Sequence, residues 1–437
     1  MTTDRRFERQ LPVLLEDLYL GPTPDYRDEV LAVAVRSRQR PAWTFTGRWI
    51  PMADIASRPS IMPRIPLRSL VVGLVIIAML LAGLAVYIGS RRTTVPPPFG
   101  IARNGLIAYA AGGDIYAADS ITGTTTPVVT GSQTDRCPTF SRDGTRIAFL
   151  RQVGDSGADA FDLLVAKADG TELKVLTTTK LHGNAPFEWS ADGTFVVATT
   201  GNAQVIRYDS TGATGPVVIA QAAHVQAGAF RPPDGAQILY QPDTPSRHAL
   251  YVMNADGSGA RPLLEIPAAE ASDSDFGAVR WSPDGTLIAF LRAPVGATDQ
   301  LRIWTMRADG TGVRQLSTET GAWFETDLVW SPDGKRIAFD RYQQNPKTLA
   351  WEIRPLGIIS VDGGPVLPVG PTPVSDGAWF DWSPDGATIV SIPGTILGWP
   401  KPAVVSARPL VIDASTGLSH ELDWTVDSAP SWQRLAR

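Results

Sequence analysis

Residues 281–292 read WSPDGTLIAFLR, and variants of this phrase recur along about three quarters of the chain. Each copy has an aromatic residue, a Ser-Pro-Asp-Gly tetrapeptide and then a β-branched, apolar run. Pro presets φ for a turn, Asp accepts hydrogen bonds from nearby amides, and Gly adopts the positive φ that other residues resist. The aromatic and β-branched residues on either side favour pleated strands. Each copy therefore predicts a β-hairpin, with its Asp in a structural role.

The spacing of the copies predicts blades of a propeller. Six complete copies are present, at residues 140–151, 189–199, 230–241, 281–292, 330–341 and 382–392. A second hairpin signal, Asp-Gly or Thr-Gly between alternating runs, follows most of them. The turn glycines of successive copies are 42 to 52 residues apart. This is the length of a four-stranded propeller blade.

A seventh copy is divided between the two ends of the region. NGLIAYA at residues 104–110 matches the second half of the phrase, and APSWQRLA at residues 429–436 matches the first half. A ring whose last strand pairs with its first hairpin has this division, and closure removes exposed sheet edges. The sequence thus predicts an all-β fold, a seven-bladed β-propeller of four-stranded blades, over residues 103–437.

The repeat also resembles a known one. Trp-Ser-Pro-Asp-Gly-x-x-Ile-Ala-Phe, together with Val-Met-Asn-Ala-Asp-Gly at residues 252–257, is similar to the TolB-type, WD-repeat-like β-propeller repeat. The resemblance implies a bacterial cell-envelope protein that binds partners on the propeller face. Related propellers also serve as gating domains on peptidases. TolB itself has six blades, so six is the alternative blade number.

A hydrophobic stretch precedes the repeats. Residues 70–88, LVVGLVIIAMLLAGLAVYI, contain no charged residue. As a helix this stretch would be about 28 Å long, close to the roughly 30 Å of a bilayer's hydrocarbon core. It predicts a single transmembrane helix (Leu70 to Ile88) after a short helical segment, residues 1–69. Residues 89–102 form a Pro-rich juxtamembrane linker, in which TTVPPPFG at residues 93–100 predicts a stiff spacer.

The charge distribution predicts the orientation. Residues 1–92 carry 13 basic and 8 acidic residues, whereas residues 93–437 carry 26 basic and 36 acidic residues, a net charge of -10. Positive charge favours the cytoplasmic side, so we expect a single-pass protein of the bacterial cell membrane with a cytoplasmic N-terminus and an extracytoplasmic propeller. The acidic propeller argues against binding of nucleic acid, whose phosphates require a basic surface.

Carboxylates recur just before the strand that enters each Ser-Pro-Asp-Gly turn. If this strand is innermost, its start lies at one mouth of the central channel. The sequence predicts an acidic, aromatic-rimmed mouth that binds a protein, a basic peptide, a cation or a sugar-like ligand. The alternative is that the acids cap turns in solvated loops. The candidates are Asp135, Asp275, Glu325, Asp327, Asp376, Asp427, Trp323 and Trp379.

No motif for catalysis or cofactor binding is present. The sequence lacks GxSxG, HExxH, a phosphate loop and a dinucleotide glycine motif, and its four histidines lie in different repeats. Cys137 is the single cysteine, which excludes an intramolecular disulfide and predicts a buried, free thiol. We therefore predict no catalytic residues, no metal and no cofactor.

The leading interpretation is a non-catalytic module that binds or senses a protein or ligand. Two alternatives remain open. The layout of short cytoplasmic helices, one span and an outer domain is similar to that of transmembrane anti-sigma factors, which implies signalling through residues 1–69. Propellers can also build active sites from scattered loops, so an envelope hydrolase or lyase is the other alternative.

Overall fold

The computed structural model describes residues 73–79 and most of residues 96–436. The stretches left undescribed within 96–436 are residues 121, 155–159, 178–179, 182–186, 201, 222, 225–228, 243–247, 268–269, 271–275, 297–299, 321, 346, 349, 373–378 and 393–406. The chain divides into two compact units, Met1–Arg92 and Thr93–Arg437.

Little of the first unit is described. Residues 73–79 are helical. Within the described part of the chain, no helix has the length and apolar character needed to cross a membrane. The predicted segment 1–69, the rest of the predicted span 70–88 and linker residues 89–95 lie outside the described residues, so their structures stay predictions.

The second unit consists of antiparallel sheets, numbered here as blades in chain order. Blade 1 contains β1 (Arg103–Ala111), β2 (Asp114–Asp119) and β3 (Thr125–Val129), joined by the last strand, β29 (Ser431–Leu435). Blade 2 contains β4 (Asp135–Phe140), β5 (Arg146–Gln152), β6 (Phe161–Lys167) and β7 (Lys174–Val175). Blade 3 contains β8 (Phe187–Trp189), β9 (Phe195–Thr199), β10 (Val205–Asp209) and β11 (Val217–Ala220).

The other four blades follow the same order. Blade 4 contains β12 (Ala223–His224), β13 (Gln237–Pro242), β14 (Ala249–Asn254) and β15 (Arg261–Glu265). Blade 5 contains β16 (Val279–Trp281), β17 (Leu287–Arg292), β18 (Arg302–Arg307) and β19 (Arg314–Gln315). Blade 6 contains β20 (Trp323–Trp330), β21 (Arg336–Gln344), β22 (Trp351–Ile353), β23 (Leu356–Ser360) and β24 (Leu367–Val369). The additional strand of this blade, β22, pairs with β21. Blade 7 contains β25 (Trp379–Trp382), β26 (Thr388–Ile392), β27 (Leu410–Asp413) and β28 (Ser419–Glu421).

The two ends of the repeat region close the ring in blade 1. β29 pairs antiparallel with β1, with Ile107 opposite Trp432 and Arg103 opposite Leu435. The divided seventh copy predicted this pairing, and the seven sheets confirm seven blades rather than six.

Apolar packing joins every blade to the next. Each of seven buried clusters contains residues of two neighbouring blades, and one cluster joins blade 7 to blade 1. At the junction of blades 5 and 6, for example, Leu291 and Phe339 are 2% and 0% exposed. Because both faces of each sheet are covered in this way, the strands carry apolar runs rather than strict alternation.

The aromatic residue of the repeated phrase also forms a hydrogen bond between blades. The indole N–H of four tryptophans donates to a backbone carbonyl in the preceding blade, which belongs to the innermost strand or, in blade 4, to Ala229, which follows that strand in the chain. These bonds are Trp189 to Thr139 (3.0 Å), Trp281 to Ala229 (3.0 Å), Trp330 to Arg280 (3.2 Å) and Trp382 to Val329 (3.2 Å). The tryptophans thus tie neighbouring inner strands together.

The Ser-Pro-Asp-Gly turn is held by its own side chains, as predicted. In blade 5 the Ser282 hydroxyl donates to Asp284 (2.6 Å), which also accepts a bond from the Thr286 amide (3.1 Å). Burial acts to raise the pKa of Asp284, but these hydrogen bonds outweigh it and the pKa lies below its usual value. Gly285 has φ +68, and a Cβ there would lie 2.1 Å from the Pro232 carbonyl oxygen, so the turn requires glycine.

Candidate functional site

The residue just before the aromatic residue of the phrase faces the central channel in most blades. Successive strand residues point to opposite sides, so an aromatic side chain that enters the blade junction sends its predecessor into the channel. Six of the seven residues at this position line one cavity: Thr139, Glu188, Arg280, Val329, Asp381 and Ser431.

This space, called here the channel cavity, has a volume of about 360 Å³ and is lined by residues of all seven blades. It lies toward the end of the channel where the inner strands reach their turns, because turn prolines Pro232, Pro283, Pro332 and Pro384 are part of its wall. The volume falls within the range of small-ligand pockets, roughly 300–1,000 Å³.

Two ion pairs between blades cross the wall of the channel cavity. Arg142 donates to Glu188 at 2.6 Å, and the second oxygen of Glu188 accepts a bond from the Ala229 amide at 2.8 Å. Arg280 donates to Asp327 at 3.1 Å. The Asp327 side chain is 41% exposed, and it lies on a wall of the cavity. Charge is therefore available at the cavity surface in both signs.

Asp381 is the third acid of the wall. One of its oxygens accepts a bond from the Trp382 amide at 2.8 Å. Burial raises the pKa of Asp381 to about 6; the positive charges of Arg280 and Arg142 oppose the rise, and Asp327 adds to it. Its carboxyl group thus changes charge closer to neutral pH than an ordinary aspartate.

Linker residues 96–102 lie across the turn end of the channel. Phe99 and Gly100 line the channel cavity. The Phe99 ring lies 4.9 Å from the Arg142 guanidinium and packs on the cluster between blades 3 and 4. Arg434 donates to the carbonyls of Pro97 (3.1 Å) and Gly100 (2.6 Å). The end of the predicted spacer is therefore packed against the propeller.

Three of the predicted site acids occupy one position, five residues before the phrase's aromatic residue, and contact strands or turns nearby. Asp135, 2% exposed, receives two bonds from Arg151 at 2.7 and 2.8 Å. Glu325, also 2% exposed, accepts bonds from Ser317 and the Ile303 amide of blade 5. Asp427 accepts a bond from the Gly112 amide in the β1–β2 turn. Burial raises the pKa of Glu325 to about 7.

The structure places the other predicted site residues in three ways. Asp327 and Trp379 both line the channel cavity. Trp323 lies at the start of β20, 4.8 Å below the Arg341 guanidinium, and its carbonyl accepts a bond from Arg302. Asp275 and Asp376 fall outside the described residues.

The charged residues that the sequence did not single out are Glu188, Arg280, Asp381, Arg142 and Arg434. The first three each precede an aromatic residue of the phrase. The alternation of side chains along a strand could therefore have identified them. Arg142 and Arg434 occupy a position at which four of the other copies have proline. This departure from the repeat could have identified them.

The channel cavity also contains the single thiol. Cys137 is partly rather than fully buried and lines the cavity, and desolvation raises its pKa above the usual range. Its backbone has φ +54, at a bulge in β4. Among the described residues, no group of three His, Cys, Asp or Glu side chains could hold a metal ion.

The closed ring of seven sheets defines a β-propeller protein. No family model matches the sequence. The Tol-Pal system protein TolB of Anaeromyxobacter dehalogenans strain 2CP-C is 31% identical over 119 residues, which are 27% of this chain and 25% of that one. This similarity to TolB confirms the resemblance seen in the repeats. The chain spans about a quarter of the length of the curated TolB relatives it matches.

One solved structure shows the same fold. A prolyl endopeptidase structure superposes with a TM-score of 0.52 at 14% identity, over 75% of this chain and 50% of that chain. TolB from Acinetobacter baumannii superposes with a TM-score of 0.46 at 17% identity, over 77% of this chain and 81% of that chain.

Proposed function

We propose that this chain is a membrane-anchored, extracytoplasmic binding protein whose propeller recognises a protein partner at the channel. The observation that carries the proposal is the channel cavity, where charged side chains occupy positions that face the channel. Partly exposed ion pairs such as Arg280–Asp327 add little to stability, because solvent screens their attraction. They are well suited to recognition, where charged and aromatic groups anchor a partner.

We propose that the residues lining the cavity bind the kind of ligand that the sequence predicted. Asp327, Asp381 and Trp379 combine carboxylates with an aromatic wall. This combination suits a basic side chain of a peptide or protein, because a cation gains from both a carboxylate and a ring face. The TolB relatives support a protein as the partner, since their name places them in the Tol-Pal system.

Anchoring is proposed from the sequence of residues 70–88, which is apolar and uncharged throughout. The basic residues before it support a cytoplasmic N-terminus and an extracytoplasmic propeller. Protease added to intact cells should digest the propeller and leave residues 1–69 protected. Protection of the whole chain would contradict this placement.

Site-specific photocrosslinking in intact cells tests the binding role. A crosslinking amino acid in place of Trp379, which lines the cavity, should give a discrete adduct with a partner, and Arg280→Ala should weaken it. Val175 provides the control position, because it lies on the outermost strand of blade 2 and is 59% exposed. Equal adducts from both positions, or none from Trp379, would contradict recognition at the channel.

A second candidate function, an envelope hydrolase or lyase, is favoured by one observation. Asp381 lies on the cavity wall with a pKa of about 6, and general acids and bases are tuned toward the working pH in this way. Incubation with peptides and acidic oligosaccharides tests it by mass spectrometry. Products formed by the protein and lost in Asp381→Asn would establish an enzyme, and their absence would leave binding as the function.

Signalling through residues 1–69 stays a prediction, since these residues lie outside the described part of the chain. Substitution of the apolar positions Leu11, Leu14 and Leu18 should abolish capture of a cytoplasmic partner by the full-length protein. Unchanged capture, or none from the unsubstituted protein, would contradict an anti-sigma-like role.

A further inference from the structure

Residues 96–102 contact the ring on opposite sides of the channel's turn end. The Ala102 amide donates to the carbonyl of Pro384 in blade 7 at 2.9 Å. Arg434 of blade 1 holds the carbonyls of Pro97 and Gly100. Phe99 lies under Arg142 of blade 2 and against the cluster between blades 3 and 4. A segment of seven residues therefore reaches across the mouth where the turns converge.

The two arginines that hold this segment replace proline in the repeated phrase. The other turns have Pro232, Pro283, Pro332 and Pro384 at this place, whereas blade 3 has Ala191. Proline offers no hydrogen-bond donor, but a guanidinium carries five. The departures from the repeat thus coincide with the contacts to residues 96–102, which indicates a site built for this segment.

The groups that residues 96–102 contact are also groups that a molecule entering the cavity would contact. Phe99 and Gly100 border the channel cavity, so a molecule that fills the cavity on this side competes with them for space. When the segment leaves, Arg142 loses its ring contact and Arg434 loses two carbonyl partners. Arg434 then has donors available at the cavity, whereas Arg142 stays paired with Glu188.

We propose that residues 96–102 are a displaceable plug, which closes the turn end of the channel cavity and is released when a molecule fills the cavity. Release frees the chain between the propeller and the predicted span, so occupancy of the cavity is reported to the juxtamembrane segment. Only the identity of the natural ligand rests on the proposed binding function. The gating itself can be measured without a partner.

The single cysteine is a built-in reporter for the plug. Cys137 lies in the wall of the same cavity as Phe99. Its rate of labelling by N-phenylmaleimide is measured on the full-length protein in detergent. Phe99→Ala should raise the rate by about tenfold or more, because removing the ring opens the turn end to reagent without unfolding the ring of blades.

Phe195→Ala is the matched control for this substitution. Phe195 is also a partly buried phenylalanine on the cluster between blades 3 and 4, and it lies 5.4 Å below the Arg207 guanidinium. It should leave the labelling rate unchanged. A wild-type rate in Phe99→Ala, or an equal increase in Phe195→Ala, would overturn the plug. Such a result would leave the crosslinking test of partner binding unaffected.

The N-phenylmaleimide adduct itself then serves as a cavity-filling molecule. Hydrogen exchange of the Ala102 amide should accelerate about tenfold or more after labelling, as its bond to Pro384 breaks, while amides in β17 keep their protection. Cys137→Ala treated with the same reagent is the control. Unchanged exchange at residues 99–102 in the labelled protein would overturn the coupling between occupancy and release.

Discussion

Asp340 in β21 is the acid whose charge the fold opposes most clearly. It is 7% exposed, and burial raises its pKa to about 8, with a further contribution from Asp327. The folded state therefore keeps the proton of Asp340 at pH values where the unfolded chain, with a pKa of about 4, has lost it. Since the folded state binds more protons between these two pKa values, this residue makes the fold less stable as pH rises from about 4 to 8.

Asp340→Asn should remove this pH-dependent cost. Relative to the unsubstituted protein, the variant's free energy of unfolding should be higher at pH 9 than at pH 5 by about 4 kcal/mol. Urea unfolding at the two pH values measures the difference.

Asp333→Asn is the comparison, because the carboxylate of Asp333 stabilises the folded state whereas that of Asp340 destabilises it. Burial acts to raise the pKa of Asp333, but hydrogen bonds from Ser331 and Lys335 outweigh it and hold the pKa below its usual value. Its stabilising contribution is present above the pKa of the unfolded chain, so this variant should lose stability equally at pH 5 and pH 9. A pH-independent effect of Asp340→Asn would contradict the raised pKa.

At this scale the sequence was informative about turns and less so about acids. The Ser-Pro-Asp-Gly phrase specifies its own hydrogen bonds, because Ser282, Asp284 and Thr286 are neighbours in the chain. Asp135 and Glu325 instead bond to Arg151 and to Ile303, which the fold brings near. The destination of a carboxylate depends on such distant partners, and spacing alone does not identify them.

At the scale of elements, the inner strands are joined by indole hydrogen bonds. Trp330→Phe removes the donor to the Arg280 carbonyl and keeps the apolar ring in the junction of blades 5 and 6. We expect a loss of about 1–2 kcal/mol in the free energy of unfolding, because a half-buried carbonyl is left without its partner.

Trp323→Phe is the comparison for this prediction. The Trp323 indole donates to Thr320, only three residues away, and not to another blade. Its substitution should cost less than Trp330→Phe in denaturant unfolding. Equal costs would show that the bond between blades adds nothing to stability.

The element count followed from the repeat, but local departures did not. Turn chemistry and β-branched runs predict a hairpin wherever the phrase occurs. The extra strand β22 and the long pair β20–β21 arise in blade 6, which carries the same phrase as its neighbours. Asp327 has φ +39 at a bulge in β20, which turns its side chain to the cavity. A bulge changes the register by one residue, and the phrase does not encode it.

At the scale of the whole molecule, one strand closes the ring. Removal of residues 429–437 deletes β29 and leaves β1 with an open edge on one side. Exposed edges pair with other chains, so we expect the truncated protein to elute as oligomers and to unfold at a lower temperature. Size-exclusion chromatography and thermal unfolding measure both effects.

A truncated protein that stayed monomeric with unchanged thermal stability would contradict closure by β29. Trp432→Ala in the full-length chain is the milder test. It removes an apolar anchor that is 6% exposed from the junction of blades 7 and 1 while it keeps the strand. Its unfolding temperature should lie between those of the other two proteins.

The ring was predictable because both halves of the divided copy can be read from the sequence. The position of the linker was not. A Pro-rich segment before the repeats predicts a spacer, and only contacts such as Arg434 with Gly100, 334 residues apart, place it in the channel. No local pattern reports a contact over that separation.

Blade 1 has a further consequence for the order of synthesis. Its strands β1, β2 and β3 are the first strands of the ring to leave the ribosome. The last strand, β29, contains Gln433, which contacts Leu106 and is made 327 residues later. The first sheet to be translated is thus the last to be completed, and its open edge persists while the other blades emerge. Chaperones that cover strand edges would be needed most during this interval.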